Sequence, residues 1–161
     1  MRSLVSIICS SVPMSLPHCA GKANYSKIPW VTYTDPEVAR VGLTESEARA
    51  QYGGAVHAYQ YGFDDLDRAI VDAETAGFTK IVTGRRSKIL GATIVGSGAG
   101  NLIAPIVMAM NQGLPLPKLS QMVYPYPTMV EGVKRAADSY YRAKFAGRSG
   151  DWLRRVVRWL T

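Results

Sequence analysis

The chain contains 161 residues, 47% of them hydrophobic and 19% charged, with a formal net charge of +7 at pH 7. This composition is typical of a globular chain that buries a core, it excludes an intrinsically disordered one, and the length suits one domain. The two cysteines and two histidines are too few for a disulfide framework, a zinc ligand set or a histidine-based triad, so we expect no metal site.

Residues 1–24 are predicted to form an irregular leader. It begins with a single arginine and a short apolar run, and Pro13 and Pro17 interrupt that run, so a secretory signal is not favoured. Both cysteines, Cys9 and Cys19, lie in this leader. Since no apolar run in the chain reaches roughly 18 residues, we expect no membrane span and a cytoplasmic protein.

Two strands and a helix are predicted next. β-Branched and aromatic residues favour a strand within residues 27–43, with a turn at Asp35-Pro36 after which the sheet continues. Thr44 with Glu47 three residues later predicts a capping box at the start of a helix, which Gly53-Gly54 ends. A strand-turn-strand unit therefore leads into the first helix.

Three further strands are predicted in the middle of the chain. Residues 56–63 alternate in the manner of a strand with one buried face. Residues 78–83 and 89–95 are apolar and β-branched, and the five residues 84–88 between them are rich in turn formers. This arrangement predicts a β-hairpin.

The second half of the chain predicts helices. An apolar helix covers residues 102–112 and ends at Gly113, a short helix lies near residues 118–122, and a long helix runs from Met129 to about Phe145. Strands followed by helices predict an α+β domain, built on a mostly antiparallel sheet with helices packed on it.

Two patterns resemble ligand sites but do not meet the requirements of those sites. Residues 94–101 lead from a strand into a glycine-rich turn, yet Asn101 occupies the sixth position of the GxGxxG fingerprint and the strand follows a hairpin. Asp64, Asp65 and Asp67 lack the glycine and glutamate of a calcium loop. We interpret the first as a structural turn and the second as a solvated acidic turn.

The last segment, residues 148–161, is basic, and Trp152, Val156 and Trp159 would share one face of a helix. We interpret it as a basic amphipathic tail that docks on the domain or on a second copy of the chain. The alternative is binding of nucleic acid or of an anionic membrane surface through this tail, because clustered arginines attract both.

A short segment before the long helix, residues 124–131, combines several special residues. Tyr126 comes directly before Pro127 and Thr128, and Glu131 follows five residues after Tyr126. Pro127 restricts its own φ and biases the preceding residue towards an extended conformation. Thr128 and Glu131, three residues apart, predict a second capping box. Two interpretations stay open here: an ordinary helix cap, or a site presented at a rigid corner.

Taken together, these segments resemble the C-terminal dimerisation domain of the flavin-dependent pyridine nucleotide–disulfide oxidoreductases, the family of mercuric reductase and dihydrolipoamide dehydrogenase. The segments that carry the resemblance are residues 28–45, Arg68-Ala69, residues 77–80, residues 90–96 and residues 124–131. The resemblance implies a dimerisation domain over residues 25–147, between the leader and the tail.

The resemblance also implies roles for four residues. In this family each copy completes its partner's active site with a His-Pro-Thr turn, whose histidine pairs with a glutamate five residues later. Pro127, Thr128 and Glu131 match that turn, whereas Tyr126 stands at the histidine position. Tyr126 and Glu131 are therefore the catalytic residues that the resemblance implies in a complete enzyme, and Pro127 and Thr128 the contacts to the partner's flavin. A phenol with a pKa near ~10 is a poor base at neutral pH.

A tyrosine at the histidine position resembles the mercuric reductases, which carry tyrosine there. The C-terminal cysteine pair of those enzymes, however, has no counterpart in Trp159-Leu160-Thr161. The family implies a homodimer, with FAD and NAD(P)H as cofactors of the complete enzyme. This sequence contains no flavin fingerprint and no redox-active cysteine pair, so we expect that the chain alone binds no cofactor and is not catalytic.

Two hypotheses follow from the resemblance. The first is a dimerisation module that self-associates through the face bearing the helix from Met129. The second is a half-site that works in trans on a flavoprotein partner, with Tyr126 and Glu131 facing the flavin.

Overall fold

The structure, a computed structural model, describes residues 27–146, and the predictions for residues 1–24 and for the tail at 148–161 lie outside this range. Five strands of this described range form one sheet in the order β1-β2-β5-β4-β3, with every neighbouring pair antiparallel. The strands are β1 (Trp30–Thr32), β2 (Val38–Gly42), β3 (His57–Gly62), β4 (Phe78–Thr83) and β5 (Ile89–Val95). The predicted α+β class with an antiparallel sheet is confirmed.

Within residues 27–146, six helices accompany the sheet, with short 3-10 turns at Gly53–Ala55, Phe63–Asp65 and Arg85–Ser87. The helices are α1 (Glu45–Tyr52), α2 (Asp67–Val71), α3 (Ala99–Leu102), α4 (Ala104–Asn111), α5 (Leu116–Gln121) and α6 (Glu131–Ala146). The long helix α6 packs against α5 and across β3 and β4, at one edge of the sheet. Within residues 27–146, none of these helices has the length and apolar character needed to cross a membrane.

The strand register gives the sheet two different faces. One transverse row carries apolar or small side chains towards the helices and forms the core: Val31, Ala39, Ile94, Thr79 and Tyr61. The adjacent row is mostly polar and lies on the opposite face: Trp30, Arg40, Thr93, Lys80 and Gln60. Because side chains alternate along a strand, the same register that buries the first row excludes the second from the core.

The helix prediction for residues 102–112 is only partly right. The structure begins this helical region at Ala99 and divides it at Ile103 into α3 and α4. Pro105 stands in the first turn of α4, where its missing amide hydrogen is tolerated, and it cannot donate the bond that would continue one helix through this point. The predicted end is confirmed: Gly113 follows α4 with a left-handed φ of +67°.

The capping box predicted at α1 is confirmed. The amide of Glu47 donates to the Thr44 hydroxyl at 3.2 Å, and the amide of Thr44 donates to a Glu47 carboxylate oxygen at 2.7 Å. Gly53 ends the helix with a positive φ of 60°. Thr44 therefore satisfies one of the amides that the first turn of a helix leaves without a partner.

Replacing Thr44 by alanine is expected to lower the free energy of unfolding by about 1 kcal/mol, because the cap acceptor is lost. Urea unfolding followed by circular dichroism measures this change as a lower midpoint with an unchanged slope. Thr44→Ser keeps the hydroxyl and serves as the matched control, which we expect to stay near the wild-type midpoint. Equal losses for both variants would mean that the methyl group, not the cap, stabilises this turn.

Candidate functional site

The segment that contains the predicted site residues connects α5 to α6, and we call residues 124–131 the corner. The peptide bond between Tyr126 and Pro127 is cis. The Thr128 hydroxyl donates to the carbonyl oxygen of Pro125 at 2.7 Å, and α6 begins at Glu131. The predicted capping box of Thr128 with Glu131 is therefore wrong, since the hydroxyl acts as a donor to the turn and does not accept from the helix.

Tyr126 projects from the corner into solvent, with 68% of its surface exposed. Its hydroxyl donates to a carboxylate oxygen of Asp67, at the start of α2, at 3.0 Å. This hydrogen bond, together with the negative charge of Asp67, holds the pKa of the phenol above its ordinary value of 10.0. Tyr126 is consequently a neutral hydrogen-bonding group at pH 7 and not a general base.

The ionisation of Tyr126 provides a direct test of this geometry. We expect the phenol to titrate above its ordinary value of 10.0, and the pKa to fall back towards that value in Asp67→Asn, which removes the carboxylate charge. Comparing the ultraviolet titration of each protein with that of its Tyr126→Phe derivative isolates the one tyrosine. Asp64→Asn, a nearby acidic residue without this bond, is the control, and a pKa that is insensitive to Asp67→Asn would contradict the assignment.

Glu131 lies almost completely inside the protein, at 8% exposure, in the first turn of α6. One carboxylate oxygen is 3.7 Å from a guanidinium nitrogen of Arg135, and the other is buried without a hydrogen-bond partner among the described residues. After the hydrogen bond and charge of Asp67, the charge of Glu131 also contributes to the raised pKa of Tyr126, so the two predicted site residues interact electrostatically. A buried carboxylate oxygen without a donor has free capacity to accept a hydrogen bond.

A polar cluster lies on α5 and α6, the helices on either side of the corner. Asp138 on α6 accepts hydrogen bonds from the Ser120 hydroxyl on α5 and from the Lys134 ammonium group, the latter at 2.8 Å. The nearby Tyr124 hydroxyl is buried without a hydrogen-bond partner in the described part of the chain, and burial raises the pKa of this phenol, with the charge of Asp138 adding to the effect. The bond between Ser120 and Asp138 joins α5 to α6, the two helices on either side of the segment that carries Tyr126.

Sequence reasoning missed two members of this site. Asp67, interpreted from the sequence as part of a solvated acidic turn, is the hydrogen-bond partner of Tyr126 although 59 residues separate them. Arg135 lies one helical turn after Glu131 and partly balances its charge. The four-residue spacing of Glu131 and Arg135 was a readable signal, whereas nothing local in the sequence links Asp67 to Tyr126. Among residues 27–146 there is no group of three or more side chains suited to hold a metal ion.

Several exposed apolar side chains lie close to Tyr126 in the sequence or on α2, the helix that begins with its partner Asp67. Val123, three residues before it, is 96% exposed, and Met122 is also exposed. Ile70 and Val71 on α2 are exposed as well, and they follow Asp67 by three and four residues, on the side of the helix that Tyr126 contacts. We call Ile70, Val71, Met122, Val123 and Tyr126 the corner face. Exposed apolar residues that gather beside one carboxylate in this way are typical of a surface that another molecule covers.

Comparisons with known proteins agree with this architecture. The sequence profile of the family described as pyridine nucleotide-disulphide oxidoreductase, dimerisation domain, matches residues 28–137. The mercuric reductase of Lysinibacillus sphaericus is 41% identical over 117 residues, which make up 72% of this chain and 21% of that protein. The dihydrolipoyl dehydrogenase of Trypanosoma brucei brucei is 38% identical over 131 residues, or 81% of this chain and 26% of that protein.

A solved structure shows the same fold. The HOCl-induced flavoprotein disulfide reductase RclA from Escherichia coli superposes with a TM-score of 0.68 at 25% identity, over 74% of this chain and 28% of that chain. The chain spans between 18% and 26% of the length of the first curated relatives that it matches. The matched region is in each case a minor part of a longer protein.

Proposed function

The chain belongs to the pyridine nucleotide-disulphide oxidoreductase family, of which it contains the dimerisation domain, and from this premise we propose that it forms a homodimer through the corner face. The observation that carries the proposal is the exposed apolar group around Tyr126, with Val123 96% exposed in the single chain. A two-fold axis through this surface would bury each copy's Val123 and Tyr126 against the other copy, because a two-fold interface uses the same surface twice.

We further propose that the corner is the part of the domain that meets a partner's flavin. Tyr126 and Glu131 would be the reacting or hydrogen-bonding groups there, and Pro127 and Thr128 would contact the cofactor. The buried Glu131 oxygen without a partner supports this assignment, since it can accept a hydrogen bond from a group that enters the corner. Tyr126, kept neutral by Asp67, is suited to donate a hydrogen bond and not to remove a proton from a thiol.

The flavin would supply the electron-transfer chemistry, and this chain would supply only the corner and the dimer contact. The complete enzyme is accordingly proposed to be an FAD-dependent NAD(P)H oxidoreductase. The named relatives include mercuric reductases and dihydrolipoyl dehydrogenases. Replacement of the acid/base histidine by Tyr126 favours the mercuric reductase type of site over dithiol chemistry. We propose that the 161-residue chain by itself does not oxidise NAD(P)H.

Sedimentation equilibrium of the full chain tests the dimer. We expect a mass of twice 17.5 kDa at concentrations of tens of micromolar, with dissociation on dilution. A single 17.5-kDa species at high micromolar concentration would overturn the proposal. Added salt should change the result little, because an apolar interface is not weakened by screening in the way that ion pairs are.

The second proposal is tested by complementation in trans. A homologous flavoprotein truncated before its own C-terminal domain is mixed with this chain, and NADPH oxidation is followed with a suitable acceptor. We expect the wild-type chain to raise the rate and Glu131→Gln to raise it less, while Asp64→Asn, outside the corner, behaves as the wild type. No gain in rate with a chain that does bind the truncated flavoprotein would count against the role of the corner and leave the dimer untouched.

A further inference from the structure

A concave site, separate from the corner, lies at the opposite end of β3. A cavity of about 370 Å³, which we call the hairpin cavity, is lined by the tip of the β4–β5 hairpin, the start of β3 and the middle of α6. Its lining includes His57, Tyr59, Arg85, Arg86 and Tyr140. This volume falls at the lower end of the range of small-molecule sites, roughly 300–1,000 Å³, and it suits one ligand of moderate size.

One wall of the hairpin cavity is aromatic. The rings of Tyr59 and Tyr140 meet edge to face, with centroids 5.9 Å apart, and the His57 ring lies 6.5 Å from that of Tyr59. The Lys144 ammonium group stands 5.9 Å from the centre of the Tyr140 ring. An aromatic wall offers a flat apolar contact for a planar ring. The Lys144 cation beside it favours ligands that also carry negative charge.

The other wall is cationic and has no acidic residue. Arg85 and Arg86 are both exposed, and within residues 27–146 neither makes an ion pair. A separate cavity of about 170 Å³, which Arg85 also lines, adds Lys88. The cations of this hairpin are therefore available for an anion, and guanidinium groups bind phosphate oxygens in a bidentate manner.

A larger cavity of the described chain differs in this respect. It measures about 470 Å³ and lies between α1 and the polar face of the sheet. Its two cationic residues, Arg49 and Lys80, already bind Glu45, at 2.8 and 3.2 Å. Both cations there already have a carboxylate partner within the protein, so size alone does not single out that cavity as an anion site.

The hairpin tip has an unusual backbone. Arg86 and Ser87 are consecutive non-glycine residues with positive φ angles of 56° and 58°. Non-glycine residues adopt this region at a cost, and such positions occur preferentially at ligand sites. A hydrogen bond from the Gly84 amide to the Lys88 carbonyl, 2.9 Å long, closes the tip and holds the two arginines side by side.

We propose that the hairpin cavity binds a nucleoside di- or triphosphate, with the base against the wall of Tyr59 and Tyr140 and the phosphates on Arg85 and Arg86. An aromatic wall and paired guanidinium groups together match the two halves of such a ligand. The segment after α6 is a poor candidate to fill the hairpin cavity. Residues 147–161 carry four arginines against one aspartate, so Arg85 and Arg86 would repel them. This site is independent of the corner and of the proposed dimer.

Isothermal titration calorimetry of the full chain with ADP tests the proposal, with adenosine and pyrophosphate titrated separately. We expect saturable binding of ADP that is tighter than either part alone and that weakens as salt is raised. The double variant R85Q/R86Q should weaken ADP binding by at least about tenfold, since two charge-assisted hydrogen bonds are lost. Tyr140→Phe keeps the ring and should bind as the wild type does, whereas Tyr140→Leu should bind less tightly.

Arg142→Gln is the matched control, because it removes an exposed arginine of α6 that does not line the cavity. ADP affinity unchanged in this variant supports the site, and an equal loss in R142Q and R85Q/R86Q overturns it as a general charge effect. Absence of saturable ADP binding at millimolar concentration also overturns the proposal. Tighter binding of a single-stranded oligonucleotide than of ADP would instead make this a nucleic-acid surface. R85Q/R86Q changes only exposed residues, so its folding is not at risk.

Discussion

Replacing Val123 by aspartate is expected to convert the proposed dimer into a monomer. The side chain is 96% exposed in the single chain, so the substitution costs the fold of the monomer little. In a two-fold dimer the change would place an unpaired carboxylate on each side of an apolar contact, and desolvation of an unpaired charge is strongly unfavourable. Sedimentation equilibrium should therefore show a dissociation constant raised by at least about 100-fold.

The control for this experiment is Tyr33→Asp. Tyr33 is 79% exposed and lies after β1, at the edge of the sheet opposite to the edge where α6 packs. The same charge is introduced on an exposed apolar residue, yet we expect the dimer to persist. A dimer that survives Val123→Asp and dissociates in Tyr33→Asp would place the interface on the other edge of the sheet and refute the corner face.

Phe63→Ala is expected to cause the largest loss of stability, about 3–5 kcal/mol of unfolding free energy. The Phe63 ring is completely buried between two glycines. A Cβ atom at Gly96 or at Gly132 would come within 2.4 or 2.9 Å of the ring, so the backbones of both residues lie directly on it. Removing the ring leaves a cavity that these fixed backbones cannot close, and the packing of α6 beside the corner is lost with it.

Urea unfolding measures this loss, and two variants accompany it. Phe63→Leu keeps most of the volume and should lose less than about 2 kcal/mol, which keeps the comparison measurable if the alanine variant does not fold. Tyr33→Ala truncates an exposed aromatic residue and should change stability by less than about 0.5 kcal/mol. A loss below about 1 kcal/mol in Phe63→Ala would show that this part of the core rearranges easily.

Features that depend on neighbouring residues were predictable from the sequence. The capping box of Thr44 and Glu47 and the hairpin around residues 84–88 are both confirmed, because a cap and a tight turn are decided by residue types a few positions apart. The division between α3 and α4 was missed, although Pro105 is visible in the sequence. The apolar run of residues 102–112 favours one helix, but the missing amide hydrogen of that proline favours a break, and the break is what the structure shows.

The corner shows the limit of local reasoning. Thr128 and Glu131 have the spacing of a capping box, yet the threonine hydroxyl bonds back to Pro125, a competing local contact that the spacing does not reveal. The bond between Tyr126 and Asp67 spans 59 residues and depends on how α2 is placed against the corner. Membership of the family was readable from several ordered motifs, whereas the roles of Tyr126, Pro127, Thr128 and Glu131 stay proposals.

Amide hydrogen exchange at two protein concentrations tests most directly whether the corner face forms the dimer. Exchange of the full chain is compared at about 1 and about 100 micromolar, because concentrating the protein populates a dimer and protects what it covers. We predict slower exchange at high concentration for the amides of residues 122–131 and of α2, with no change at the hairpin tip. Exchange at the corner that is independent of concentration, in a sample shown to contain dimers, would contradict the account.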